Sequence, residues 1–417
     1  MPTLKSSGFS PVPSLMIALV LIAGRPAAAR AQSSLGDTLH LSLADVLTQV
    51  REGHPVWKAG SAKIIAARAR AAERRSTPSP RISVATAALT DVRLELLQPL
   101  RWPWEGSALR AVGVQEVAVT TAGVDAARRG VMLDAARSFA EGLRSTRALL
   151  LAIEAESLAQ YTVNRVAPGN RPGESNDLAA LQALVSLDEA RRAHVRAQLQ
   201  HTINQARLAL VLGQDPGAPI AFDGELVAIA PLTAPDAALA SALATDPNSA
   251  SLEHDAARAD QEARLARARR WPTLELGPAL TVGDRSRLGI AIGVSLPAWK
   301  RQREAIRAAH AERDTALAAI EVRRRELSAL VVDALVSLRR AEAELSLLRG
   351  GALARAARAL RLAEPAVPQP GVSILTWLAA RDAYVHARAA ELDLEWQAAE
   401  ARVLLRTLNG SLIMEEP

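Results

Sequence analysis

"LGIAIGVSLPAW", residues Leu288 to Trp299, sets large apolar side chains at every second position: Leu288, Ile290, Ile292, Val294 and Leu296. Between them stand only small residues, Gly289, Ala291, Gly293 and Ser295. A period of two is the signature of a β-strand with two unlike faces. A half-buried strand in a water-soluble protein normally turns a polar face outward. Here the face opposite the large residues is small and mildly polar. It continues through Thr273, Glu275 and Thr281 of the preceding run "TLELGPALTV" (Thr273–Val282). One face suits hydrocarbon and the other a watery lumen, so Leu288, Ile290, Ile292 and Val294 are expected to face lipid.

Strands of this kind come in pairs. "RISVATAAL" (Arg81–Leu89) and "VRLELLQPL" (Val92–Leu100) flank Thr90-Asp91, a hairpin signal. "TLELGPALTV" and "SRLGIAIGVSLP" (Ser286–Pro297) flank "GDR". Each run has about nine to twelve residues, the length a tilted membrane strand needs. The chain has seven tryptophans. Four of them, Trp102, Trp104, Trp271 and Trp299, gather at one end of these strands. Indole rings collect at membrane–water boundaries, because the ring is apolar while its N–H seeks water.

Around the hairpins the chain repeats itself. A shift of 192 residues carries Pro55 onto Pro247 and Pro80 onto Pro272; a shift of 198 carries Pro99 onto Pro297 and Gly173 onto Gly371. Each copy reads as a short helix, an X-Pro break (His54-Pro55, Asp246-Pro247), an Ala/Arg-rich helix, a hairpin, a long helix and a return helix. The long helices are expected over 105–166 and 299–364, neither interrupted by proline, and the return helices over 177–212 and 374–408. On the second long helix Leu327, Leu330, Val331, Ala334 and Leu338 are expected to share one face. The domain plan is therefore residues 32–212 for the first repeat, 213–235 for a Pro/Gly-rich equatorial connection, 236–410 for the second repeat and 411–417 for a tail.

The chain has 417 residues, 49% of them hydrophobic, 3% aromatic and 23% charged, a balance that fits long helices and coiled coils. The net charge is +6, but cations and acids alternate along the helices, which reads as solvated faces rather than a nucleic-acid footprint. There is no cysteine, so disulfides, thiolate metal sites and lipid attachment at an N-terminal cysteine are excluded. The seven histidines form no metal-ligand motif. No G-x-S-x-G and no phosphate-binding glycine loop occurs, so no catalytic, cofactor-binding or metal site is assigned. Residues 1–31 read as a secretory signal: Lys5, then the apolar "PSLMIALVLIAG", then "ARAQ" as a cleavage site that leaves Gln32 first.

Four strands cannot close a membrane barrel, and open sheet edges are not tolerated in lipid. Chains must therefore pool their strands. Two chains would give eight and three would give twelve; twelve better suits an open channel.

At this point the sequence resembles the TolC-type outer-membrane efflux channels, most nearly the branch that serves heavy-metal resistance pumps. The resemblance rests on the duplicated plan and on "LADVLTQVREGHP", "LLQPL", "VSLPAW", "PGESNDLAALQALVSLDEAR" and "QPGVSILTWLAARDAYVHAR". It implies a mainly α fold with a membrane β-barrel portion. Three chains would share a 12-stranded barrel in the outer membrane of a Gram-negative bacterium, above a coiled-coil helical tunnel across the periplasm. It implies a homotrimer that meets a periplasmic adaptor (membrane fusion) protein and an inner-membrane pump of the RND class, with no nucleic acid and no catalysis. The periplasmic tips would fall at 166–176 and 364–373. Arg171, Gly173, Glu174, Asp177, Glu364, Gly371, Ser373, Arg381 and Asp382 are the aperture candidates. The acidic residues that many relatives carry at the tips are replaced here by Ala179, Thr376 and Ala379. The alternative is a periplasmic coiled-coil adaptor or scaffold without a barrel, which leaves the four strands and their tryptophans unexplained.

Overall fold

The computed structural model describes residues 39–86, 92–166, 174–226, 235–283, 286–297, 299–363 and 374–411. The expected signal segment, the two hairpin tips and nearly all of the tail lie outside them. In chain order the elements are β1 (Leu39–Leu41), α1 (Leu43–Gly53), α2 (Pro55–Arg75), β2 (Arg81–Thr86), β3 (Val92–Leu100), α3 (Pro103–Val166) and α4 (Glu174–Leu212). Then come β4 (Ile220–Phe222), α5 (Pro235–Thr245), α6 (Pro247–Ala268), β5 (Thr273–Val282), β6 (Arg287–Ser295) and α7 (Trp299–Leu347). A π-helical turn (Leu348–Leu353), α8 (Ala354–Ala363) and α9 (Ile374–Leu408) complete the described chain.

The helix starts follow local chemistry. Ser42 and Asp45 form a reciprocal capping box at α1. α2 and α6 both begin at proline, whose missing N–H costs nothing at a first helical position. His54 Nδ1 accepts from the Val56 N–H at 3.2 Å, and the Asp246 carboxylate accepts from the Ser249 N–H at 2.8 Å. α3 has 64 residues, about 96 Å of helix at 1.5 Å per residue.

Helix packing relies on small residues. α3 lies against α2, α4, α6 and α9, and α7 lies against α6 and α9. The main core joins Val46 and Val50 of α1, Met132, Ala136 and Phe139 of α3, Leu208 of α4, Ile220 and Phe222 of β4, and Val403 of α9. A Cβ at Gly142 would come within 2.0 Å of Phe222 Cε1, so α3 can pass β4 only where a side chain is missing. A second cluster joins α5, α7 and α9 through Ala242, Val331, Ala334, Leu338, Ala401 and Leu405.

Three expectations need correction. The helix after the second hairpin is not uninterrupted from 299 to 364; it passes through the π-helical turn at Leu348–Leu353. Gly350 and Gly351 lie within that turn, where weak helix formers let the hydrogen-bond ladder slip by one residue. The slip is matched by an ion-pair cluster: Arg349 donates to Glu391 at 2.8 Å and also to Glu395, while Arg147 reaches Glu395 at 2.7 Å. Leu330 is 40% exposed, whereas Leu327 and Val331 are fully buried, because one residue turns the helix about 100° away from the seam. The first long helix begins at Pro103 rather than 105. Apart from the four hairpin strands, β4 in the region read as a connection pairs in parallel with β1 of the first repeat, Leu39 opposite Ile220 and Leu41 opposite Phe222.

Candidate functional site

β2, β3, β5 and β6 form one antiparallel sheet in that order. Two hairpins are joined by the β3–β5 pair, with Val92 opposite Val282 and Leu100 opposite Leu274. The register runs without a shift through Leu274↔Val294 and Leu280↔Leu288 in the second hairpin and Ile82↔Leu96 in the first. Side-chain alternation therefore sorts the whole sheet into two faces.

One face collects Ile82, Val84, Val92, Leu94, Leu96, Leu100, Leu276, Leu280 and the β6 quartet, with only Thr86 and Gln98 polar among its described strand positions. These large residues are exposed in the single chain, Leu288 by 80%, Ile290 by 76%, Ile292 by 73% and Val294 by 57%. A contiguous apolar surface of this extent marks a partner or a membrane.

The other face is polar and tight. Arg93 pairs with Glu95 at 2.6 Å, Ser83 donates to Glu95 at 3.0 Å, and Arg81 approaches Glu275 at 3.5 Å. Ala279 and Ala291 are buried against Leu97. The small residues of the opening stretch thus make room for neighbours on this face. At Gly277 a Cβ would sit 1.7 Å from the Leu96 carbonyl oxygen, so that strand crossing needs glycine. Beside it Pro278 has no N–H to give the ladder.

The sheet is collared at its helix end. Trp102 and Trp104 stack with centroids 4.9 Å apart, and Trp104 meets Trp271 at 5.9 Å. The Trp102 indole N–H donates to the Pro272 carbonyl at 2.8 Å, tying the end of β3 to the start of β5. Trp102 continues the parity of the apolar face beyond Leu100. Trp104, Trp271 and Trp299 are each roughly half exposed. The order leaves β2 and β6 as edges, each with one side unpaired within the chain.

The aperture candidates do not assemble into one described site. Arg171, Gly173, Glu364, Gly371 and Ser373 lie outside the described residues. Glu174 and Asp177 fall in the first turn of α4. Arg381 is not a solvated helix-end cation: it is 6% exposed, donates to Ser186 and Asp382, and leaves its Nη1 without a partner. Asp382 is half exposed. Trp377 went unsuspected in the sequence; it is 1% exposed and its indole N–H donates to Thr162 Oγ1 at 2.8 Å, pinning the start of α9 to α3. Its signal was available, since a lone tryptophan near a helix start in an aromatic-poor chain marks an anchor. Among the described residues no group of His, Asp and Glu is arranged to hold a metal, and no helix is long and apolar enough to cross a membrane.

Comparison with known proteins agrees with this architecture. Residues 238–411 match the model of the outer membrane efflux protein family. No curated protein matches the chain significantly. Among solved structures, the outer membrane protein VceC of Vibrio cholerae superposes with a TM-score of 0.71 at 17% identity, covering 88% of this chain and 96% of that one. The open-state MtrE outer membrane channel of Neisseria gonorrhoeae gives 0.75 at 16%, covering 88% of each. CusC gives 0.75 at 18%, covering 91% of this chain and 95% of its own. The fold is that of the TolC-like channels, and the family matched over 238–411 is one of efflux channels rather than enzymes.

Proposed function

We propose that this chain is the outer-membrane channel component of a tripartite efflux system, working as a homotrimer. Three four-stranded sheets, edge β6 of one copy against edge β2 of the next, would close a 12-stranded barrel. The observation that carries this reading is the sheet itself: one face continuously apolar and exposed, the other charged and small, with tryptophans at one end and two open edges. Lipid would cover the apolar face, and water would fill the space behind the other. A soluble coiled-coil scaffold would have no use for such a face.

The helices would continue the pore across the periplasm as two copies of one helix–hairpin–helix unit, residues 32–212 and 236–410 joined by 213–235. The tips at 166–176 and 364–373 would form the aperture and meet a periplasmic adaptor, which links to an inner-membrane pump of the RND class. Residues 1–31 would be the export signal. Reconstitution into planar bilayers tests the reading: stepwise ion conductance, with heat-resistant oligomers in outer-membrane fractions, is the expected result. A freely soluble monomer without conductance would overturn it.

A further inference from the structure

The tryptophan collar stands over a cleft between α3 and α6. Trp104, Ser107, Ala108 and Ala111 line one wall; Arg264, Arg267, Ala268 and Trp271 line the other. It sets two indoles at the mouth, alanines along the walls and two exposed guanidiniums below. Arg267 donates to His310 Nε2 at 2.9 Å, while Arg264 makes no ion pair among the described residues. Counting down α6 from Trp271, Arg267 lies about 6 Å and Arg264 about 10 Å below the collar. That is headgroup depth if the indoles mark the edge of the hydrocarbon.

A second observation points the same way. α7 opens on "WKRQR" (Trp299–Arg303), with no acidic residue in its first turn. Cations at a helix N-terminus oppose the helix dipole, so helix stability does not explain them. α6 runs out into "RARRW" (Arg267–Trp271) at the same end of the sheet, where Arg269 pairs with Glu105 at 3.2 Å. Both runs surround the collar with positive charge, where a phosphate would be welcome.

We infer that the α3–α6 cleft binds an anionic glycerophospholipid of the leaflet at this end of the barrel, its phosphate on Arg264 and Arg267 and its glycerol and upper acyl chain against Trp104 and Trp271. This inference rests on the proposed membrane sheet. The test uses the full chain in nanodiscs holding equal phosphatidylglycerol and phosphatidylcholine, with retained lipid counted by native mass spectrometry. The expected result is preferential retention of phosphatidylglycerol, falling about fivefold for Arg264→Gln and further for Arg264→Gln with Arg267→Gln. Arg358→Gln, on α8 at the far end of the helices, should leave the preference intact. Equal retention of the two lipids by the wild-type chain, an unchanged preference in Arg264→Gln, or displacement of the lipid by excess inorganic phosphate would each overturn it. Three-chain mass in the same spectra, and conductance of the same protein in planar bilayers, separate loss of this site from failure of the channel reading.

Discussion

Arginine in place of Ile290 separates a lipid-facing strand from a soluble one. Ile290 is one residue from the centre of β6, is 76% exposed in the single chain, and pairs with Pro278 of β5. β6 has nine residues, about 30 Å of strand, and a tilt near 40° lowers that to roughly 23 Å of membrane normal. Ile290 thus sits close to the midplane, where arginine on the lipid face costs about 2–4 kcal/mol. That is about a 30- to 900-fold shift per chain, and roughly 6–12 kcal/mol over three chains. The adjacent control is Gly289→Arg. Its side chain points to the opposite face, where an added Cβ meets nothing within 4 Å. The assay is urea unfolding in lipid vesicles, with heat-modifiable mobility as the measure of folded oligomer. Ile290→Arg should lose most of the folded oligomer and Gly289→Arg should keep it. Equal tolerance of both substitutions would refute the assignment of faces.

Three further outcomes are expected. Gly277→Val should abolish the folded sheet, because its side chain cannot coexist with the Leu96 carbonyl 1.7 Å from the Cβ position; retained protease resistance of the barrel portion would contradict this. Burial raises the Asp246 pKa, but hydrogen bonds from Arg323 and Ser249 outweigh it and hold the carboxyl below its ordinary value. A depressed folded pKa gives stability that is present above the ordinary carboxylate range and lost as pH falls from there through the lower folded value. Asp246→Asn should therefore destabilise the helical portion at neutral pH and flatten its acid dependence, read by thermal melts between pH 3 and 7. Arg349→Met should cost about 1–3 kcal/mol, since Glu391 and Glu395 are buried but keep Arg388 and Arg147; an unchanged melting temperature would remove the ion pairs as the reason for the π-helical turn.

The sheet was legible because its signal is local. A period of two fixes which residues share a face, and β3 and β5 begin and end where the alternation does. The joining of the hairpins through β3 and β5 was not legible, since that pairing depends on α3 and α6 lying side by side. Three-residue strands such as β1 and β4 leave no periodic trace. Gly350-Gly351 is a weak point in the helix, but nothing local in the sequence shows that Arg349 of the π-helical turn meets Glu391 and Glu395, some forty residues onward. Nothing local in the sequence marks Arg381 as buried; its burial comes from the packing of α9 on α4, where it meets Ser186. The aperture positions rest on resemblance alone, because turns carry little pattern beyond their glycines.

The central claim is that edge β6 of one copy meets edge β2 of another until three chains close the sheet. The chain has no cysteine, so introduced thiols report without background. With Val84→Cys on β2 and Ile290→Cys on β6, a short bifunctional maleimide applied to outer membranes should give a covalent ladder that ends at three chains. A ladder that stops at two, or extends beyond three, or cross-links confined to single chains, would contradict the shared barrel.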